Sequence, residues 1–276
     1  MLTLNPCTTI LSPWEKSSAM TMAIDPRSLS QPERLLWWHG VREPDHIDLE
    51  AIANARGARV VFRHLDGCAA RLVRSGDAAV ISVAVDSIPG RQRFSLGHEL
   101  AHWICDSQRS SFRCTSADIG PQNAEAKSVE ADANSFASQL ILPSYLVDPW
   151  SAGRKLTLDV ATALAKDFRA SLTASAIKLV KRATTPACIV CHGQQKLRWF
   201  QKNSGIPFDF YVKRELHQDT AAFDMVFGAA SGMSRPRKES ADRWLSGPNA
   251  YQMTVETQSV KLPDATVLTL IALVQK

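Results

Sequence analysis

The pattern His98-Glu99-Leu100-Ala101-His102 constrains this chain more than any other feature of its sequence. In a helix, residues four apart lie on the same side one turn apart, so both imidazoles can bind one metal ion. Glu99 then projects beside the ion, where its carboxylate can take a proton from a water molecule. The pattern therefore predicts a helix that presents a metal site, with His98 and His102 as ligands and Glu99 as general base.

The residues around the motif favour this interpretation over an amphipathic helix whose histidines lie in the core or in solvent. Leu100 and Ile104 give the helix an apolar side, and Trp103 can pack against a sheet. The preceding run, residues 78–85, is typical of a buried strand, and a turn is predicted at Pro89-Gly90. A strand that leads directly into the metal-binding helix is the arrangement expected of a zincin fold.

A metal ion held by two histidines needs a third ligand, and the next strong helix, residues 126–142, offers two carboxylates. Glu130 shares a face with Ala133 and Ala137, and these small residues allow a second helix to approach closely. Asp132 lies about 200° around the same helix from Glu130, so only one of the two can face the metal. The shared small face favours Glu130 and leaves Asp132 as its rival.

Two runs of the sequence together resemble the ImmA/IrrE family of metallopeptidases. The first run is Arg91–His102 and the second is Glu130–Ala137, which Leu140–Pro143 follows as in that family. Two motifs at this separation are far more specific than either motif alone. The resemblance is close over residues 31–150, and Gly97 departs from it because alanine is commoner there in the family.

The resemblance implies a gluzincin-like site and a function. It implies that His98, His102 and Glu130 bind one Zn²⁺ ion, with Mn²⁺ as the alternative metal, and that Glu99 is the catalytic carboxylate. It also implies an endopeptidase that cleaves a helix-turn-helix repressor or an antitoxin-like regulator, which would derepress genes of a stress response or a mobile element. The rival interpretation is a zincin-fold regulator that cuts nothing and binds DNA or a partner protein. An intact Glu99 argues against this rival, because a purely structural metal site needs no general base.

Charge and cysteine usage bear on partners and compartment. Residues 1–150 hold 14 Lys and Arg against 17 Asp and Glu, whereas residues 151–276 hold 18 against 10. The basic second half favours contact with DNA or an acidic partner, although solvated lysines give the same balance. The chain lacks a run of eighteen apolar residues and a secretory signal, and its six cysteines are scattered. These features predict a cytoplasmic protein with reduced thiols and no membrane contact.

The pattern of elements predicts an α+β fold. Residues 59–63 and 69–73 read as a hairpin that turns at Asp66-Gly67 and joins residues 78–85 in a three-stranded, mostly antiparallel sheet backing the metal helix. The long polar loop of residues 106–122 is expected to be a substrate-contacting rim or disordered. Four segments are predicted: a disordered tail (1–30), a zincin-like metallopeptidase domain (31–150), a helical linker unit resembling a helix-turn-helix (151–186), and a β-rich C-terminal domain (187–276).

The linker unit has two predicted helices, Leu158–Phe168 and Leu172–Arg182, joined by a short turn. Lys178, Lys181 and Arg182 would suit DNA binding, but Arg169 lies where glycine commonly makes this turn. A structural helical hairpin is the alternative.

The C-terminal segment is predicted to contain strands at 187–192, 196–201, 208–213, 251–255 and 266–274, with a helix at 220–227. The last strand is apolar on both faces and should therefore be central. Some ImmA/IrrE proteins carry a GAF-like sensor module here, and this segment is expected to be a related one. Cys188-Ile189-Val190-Cys191-His192 matches the attachment pattern of c-type haem, but its strand-like texture favours two buried thiols over haem or a second metal site.

Overall fold

The structure is a computed structural model that describes residues 24–105, 111–114 and 128–274 of the 276-residue chain. Within these residues it is an α+β protein with eight α-helices, as predicted. The helices are α1 (Gln31–Trp38), α2 (Leu49–Ala55), α3 (Pro89–Cys105), α4 (Ser128–Ile141), α5 (Ser144–Ser151), α6 (Leu158–Asp167), α7 (Leu172–Arg182) and α8 (Ala221–Phe227). The strands are β1 (Ala58–Arg63), β2 (Ala70–Ser75), β3 (Ala78–Ala84), β4 (Ser111–Cys114), β5 (Ala187–His192), β6 (Leu197–Lys202), β7 (Tyr211–Val212), β8 (Arg237–Ser240), β9 (Leu245–Ser246), β10 (Thr254–Lys261) and β11 (Val267–Leu273).

Regular structure begins before the predicted end of the N-terminal tail. Pro26–Ser28 forms a 3-10 turn, and Ser30 caps α1 through a reciprocal hydrogen-bonded pair with Glu33. The rest of the predicted tail, residues 1–23, lies outside the described residues. Among the described helices, none combines the length and the apolar character needed to cross a membrane.

The first sheet has four strands in the order β1-β3-β2-β4, and the predicted hairpin between β1 and β2 is wrong. β1 pairs in parallel with β3, with Val60 opposite Ile81, whereas β2 and β3 form the antiparallel hairpin. The reason is the two-residue turn at Gly76-Asp77, where Gly76 has a φ of +61° that favours a tight hairpin turn. The sheet is therefore mixed, and β3 lies inside it, as its buried side chains require.

The predicted polar loop at 106–122 also needs correction, because it contains a strand. β4 pairs antiparallel with β2, with Phe112 opposite Leu72, and forms an edge of the first sheet. Residues 106–110 and 115–127 lie outside the described residues.

Helix α3 lies against this sheet and is longer than the motif itself. It begins at Pro89, so Pro89-Gly90 forms the first helical turn instead of the predicted separate turn, and proline suits that position because its missing N–H has no partner there. Leu96 and Leu100 are buried in the main hydrophobic core, which also includes Ile81 of β3. Trp103 donates its indole N–H to the carbonyl oxygen of Arg56 over 2.7 Å, which ties the C-terminal end of α3 to the segment after α2.

Helix α4 packs on α3 through small residues, as its sequence predicted. A Cβ atom placed on Gly97 would lie 3.4 Å from the Cβ of Ala137. Ala133 and Ala137 are both buried. The two helix backbones therefore approach closely at the level of the HExxH motif, so a side chain one turn earlier on α4 can reach the histidines of α3.

Helices α6 and α7 form a hairpin that packs against the rest of the main hydrophobic core. The turn between them contains Arg169 at a φ of +51°, the left-handed conformation that glycine usually adopts. A Cβ atom on Gly90 would lie only 2.9 Å from the backbone nitrogen of Ser171, so this turn contacts the start of α3. Of the three basic residues predicted for DNA binding, Lys178 is buried and Arg182 pairs with Asp148, so only Lys181 extends freely outward. These contacts favour the structural hairpin.

The second sheet is antiparallel, in the order β6-β5-β11-β10-β8. The predicted β5–β6 hairpin and the central position of the last strand are confirmed. The strand predicted at 251–255 is instead a 3-10 turn (Ala250–Gln252) followed by the longer β10, and only Tyr211–Val212 of the strand predicted at 208–213 is extended. Cys188 and Cys191 lie on opposite faces of β5, in different hydrophobic clusters, so they cannot share one metal ion or haem.

The main core is continuous across the predicted domain boundaries at residues 150 and 186. It contains Leu100 of α3, Val180 of α7, Ile189 of β5 and Leu268 of β11 in one cluster. A second cluster fills the other face of the C-terminal sheet, beneath α8. The domain boundaries and the GAF-like assignment stay predictions.

Candidate metal centre

Three side chains predicted as ligands converge between α3 and α4. The Nε2 atoms of His98 and His102 are 3.1 Å apart. The Oε2 atom of Glu130 lies 3.2 Å from His98 Nε2 and 3.5 Å from His102 Nε2. Both histidines are completely buried, and the Glu130 side chain is 19% exposed. Within the described residues, this trio is the group of His, Cys, Asp and Glu side chains that could hold a metal ion.

The separations within this trio fit an ion of the size of zinc. Zinc binds histidine nitrogen and carboxylate oxygen at about 2.0–2.2 Å in a tetrahedron, which places neighbouring ligand atoms about 3.3–3.5 Å apart. The observed separations of 3.1, 3.2 and 3.5 Å are close to one face of such a tetrahedron. Three protein ligands leave the fourth corner open, which is typical of catalytic zinc sites.

Asn134 orients the first of the two histidines. Its Oδ1 atom lies 3.1 Å from Nδ1 of His98, and a carbonyl oxygen can only accept a hydrogen bond. The proton of the imidazole is therefore on Nδ1, and the lone pair of Nε2 points toward Glu130 and His102. Asn134 was not predicted as a site residue. The sequence feature that could have identified it is its spacing of four residues from Glu130, which puts both side chains on one face of α4.

Glu130 and Asp132, the two carboxylates considered as the third ligand, lie in different surroundings. Glu130 reaches the histidines, whereas Asp132 is exposed on the outer side of α4. The cause is the packing of Ala133 and Ala137 on α3, which fixes the rotation of α4 about its axis. The structure therefore brings Glu130, and not Asp132, to the two histidines.

Glu99, the predicted general base, is completely buried on α3 between the two histidines. Because each residue turns a helix by about 100°, the Glu99 side chain leaves α3 about 100° around the axis from that of His98. At the end of the same helix, the guanidinium of Arg74 donates hydrogen bonds to the carbonyl oxygens of His102 and Trp103 and stacks 4.6 Å from the Trp103 ring. A positive charge at the carboxyl end of a helix stabilises it, so Arg74 helps hold the histidine-bearing turn in place.

Comparison with protein families identifies the region that carries this site. Residues 53–180 match the family model described as Peptidase_M78, IrrE N-terminal-like domain. The chain contains an IrrE N-terminal-like domain. The resemblance to the ImmA/IrrE metallopeptidases is thereby confirmed, and the matched region includes the whole of α3 and α4 with the His98, His102 and Glu130 trio.

A likeness to solved structures extends beyond the IrrE N-terminal-like domain. A Mycobacterium tuberculosis transcriptional regulator has a similar structure, with a TM-score of 0.55 and 13% sequence identity, over 87% of this chain and 74% of that one. At this identity the likeness shows the fold alone. Coverage of 87% requires that it include parts of the chain outside residues 53–180. No curated protein is significantly similar in sequence.

Proposed function

We propose that this protein is a zinc-dependent endopeptidase of the ImmA/IrrE type that acts in the cytoplasm. The observation that carries the proposal is the convergence of His98, His102 and Glu130 within 3.5 Å of one another, inside a domain of a metallopeptidase family. A zinc ion bound there would supply Lewis acidity, which polarises a peptide carbonyl and lowers the pKa of water. Cytoplasmic location is supported by Cys68, Cys188 and Cys191, which are not in disulfide bonds.

The side chains of this chain divide the work. His98, His102 and Glu130 would hold the ion, and Asn134 keeps the His98 proton on the nitrogen that faces away from it. Glu99 would accept the proton of the attacking water and pass it to the leaving amine, as a general base and then a general acid.

The proposed substrate is a helix-turn-helix repressor or an antitoxin-like regulator, whose cleavage derepresses genes of a stress response or a mobile element. The IrrE N-terminal-like domain supports a regulatory peptidase, and a solved protein of similar fold is itself a transcriptional regulator. The first candidate substrate to look for is any repressor-like protein whose gene is adjacent to the gene of this protein.

The experiment incubates the purified protein with Zn²⁺ and any such regulator, and fragments are identified by mass spectrometry. Cleavage at one site, which a chelator stops and added Zn²⁺ restores, is expected. Glu99→Gln is the matched control: it is nearly isosteric, so it should keep the metal and the fold while cleavage falls by about 10²–10⁴. Equal cleavage by wild type and Glu99→Gln would rule out Glu99 as the general base.

A second candidate is a regulator that binds DNA or a partner protein through the basic C-terminal half and cuts nothing. The similar fold of a transcriptional regulator favours it. The internal contacts of Lys178 and Arg182 count against α7 as its recognition helix. Salt-dependent binding of the intact protein to DNA from its own promoter region, without cleavage of any regulator, would favour this candidate.

A further inference from the structure

A cavity lies at the N-terminal end of α3, at the opposite end of this helix from the Trp103 contact. Its volume is about 610 Å³, which is within the range of small-molecule sites. Its walls come from the segment before α2, the first two turns of α3, and the end of α6 with the following turn. We call this cavity the arginine pocket, because Arg93 and Arg169 line it together.

The two guanidinium groups converge on one neutral acceptor. Both terminal nitrogens of Arg93 lie 3.4 Å from the carbonyl oxygen of Ile47, and Arg169 Nη2 lies 3.4 Å from the same oxygen. Arg169 also donates to the carbonyl of Asp45 over 3.2 Å. Within the described residues, the hydrogen bonds of both side chains go to main-chain carbonyls, and Nε of Arg93 is buried without a partner. Among the residues that the structure describes, therefore, no anion is bonded to these two neighbouring positive charges.

The residues around Arg93 and Arg169 add further positive electrostatic potential to the pocket. Pro89 and Gly90, the first residues of the 17-residue α3, line the pocket, so the positive end of this helix dipole faces it. Lys166 contributes a third cation at the rim. Burial and the nearby Arg169 charge lower the pKa of Arg93 to about 10, as expected for a cation that is short of counter-charge.

The acidic residues of the pocket do not bond to the pair. Asp48 accepts the backbone N–H of Ala51 over 2.9 Å as the N-cap of α2, and Asp45 and Glu50 are exposed. Asp48 and Glu50 offset part of the Arg93 charge from a distance. Phe62 and Leu96 add an apolar wall that would suit the body of a ligand.

The left-handed backbone conformation of Arg169 is a third observation that supports a binding role. A non-glycine residue at a φ of +51° is strained, and residues with such strain cluster at functional sites. Glycine at this position would relieve the strain, whereas arginine adds a guanidinium that lines the pocket.

We propose that the arginine pocket binds a phosphate-bearing small molecule, with the phosphate held between Arg93 and Arg169. A phosphate dianion matches two adjacent guanidiniums in charge, and its oxygens match their donor geometry. Since Arg93 lies on α3 five residues before His98, the bound molecule stabilises the helix that carries the metal ligands. This proposal does not depend on peptidase activity.

The test measures thermal unfolding of the intact, zinc-loaded protein as inorganic phosphate is added, against potassium chloride at equal ionic strength. Phosphate is expected to raise the unfolding midpoint in a saturable way, because a ligand that binds only the folded state stabilises it. Arg169→Gly and Arg93→Gln should each weaken the apparent phosphate affinity at least ten-fold. Arg169→Gly keeps its fold, because glycine accepts the left-handed backbone.

Arg59→Gln is the matched control, since it removes an equal charge from an exposed position on β1 outside the pocket. It should keep the wild-type phosphate affinity. Equal shifts with phosphate and chloride, or a full phosphate shift in both pocket variants, would overturn the proposal. A shift with citrate and none with phosphate would overturn the choice of phosphate as the bound group.

Discussion

At the scale of single residues, the metal centre depends on which carboxylate of α4 faces α3. Glu130→Ala should weaken zinc binding by orders of magnitude, because it removes one of the three proposed ligands. Asp132→Ala, the matched control on the same helix, should bind zinc within a few-fold of wild type, because Asp132 is exposed. Titration of both metal-free variants against a competing chelator measures this. Weaker binding by the Asp132 variant than by the Glu130 variant would reverse the assignment.

Asn134 is expected to act through His98 and not on the metal itself. Asn134→Leu removes the acceptor for the His98 Nδ1 proton, so zinc affinity should fall by about 10–100-fold. Asn134→Asp restores an acceptor oxygen and should recover most of that affinity. Chelator competition gives both values without any substrate. If Asn134→Leu and Asn134→Asp lose affinity equally, the side chain matters for packing and not for the hydrogen bond.

His192 makes stability depend on pH far from the metal centre. Burial lowers the pKa of His192 from 6.5 to about 4, while a hydrogen bond to the Lys213 carbonyl opposes the shift. The unfolded chain therefore binds the proton first as pH falls, so this stabilisation is full above about pH 6.5 and is lost toward pH 4. At pH 5 the loss should be about 2 kcal/mol. Urea unfolding of wild type and His192→Gln at pH 7.5 and pH 5 should show a smaller loss in the variant.

At the scale of elements, the close approach of α3 and α4 is what brings the proposed ligands from two helices together. Gly97→Ala should be tolerated, since its Cβ would meet Ala137 at 3.4 Å, an ordinary contact, and alanine favours helix by about 1 kcal/mol. Gly97→Val adds two methyl groups at the same contact and should push α4 away from α3. Zinc affinity should therefore fall at least ten-fold in the valine variant and stay near wild type in the alanine variant, as chelator competition would show. Equal affinities would mean that this contact does not position Glu130.

At the scale of the whole molecule, one hydrophobic core joins the IrrE N-terminal-like domain to the C-terminal sheet. Removal of residues 187–276 would expose the side of α7 that includes Leu179 and Val180, together with the rest of the core face that β5 and β11 cover. The shortened protein is expected to lose cooperative thermal unfolding and to aggregate, because its core would be open to water. A soluble shortened protein with a sharp unfolding transition would instead favour independent domains.

The parts of the fold that local spacing determines could be predicted from the sequence. The side-by-side placement of His98 and His102 follows from the helical repeat, and the small face of α4 follows from the spacing of Ala133 and Ala137. The central position of β11 follows from its apolar residues on both faces. In each case the decisive contacts lie within one element, so the local pattern of residue types was sufficient.

Only the tertiary structure decided the features that depend on contacts between distant segments. The pairing of β1 with β3 rather than β2, the burial of Lys178, and the meeting of Arg93 with Arg169 join residues that no local pattern relates. The sequence already favoured Glu130 over Asp132, but the contact with Gly97 on another helix, which sets the rotation of α4, is seen only in the structure. Periodicity determines which residues share a face, but the partner of that face is chosen by the packing of the whole chain.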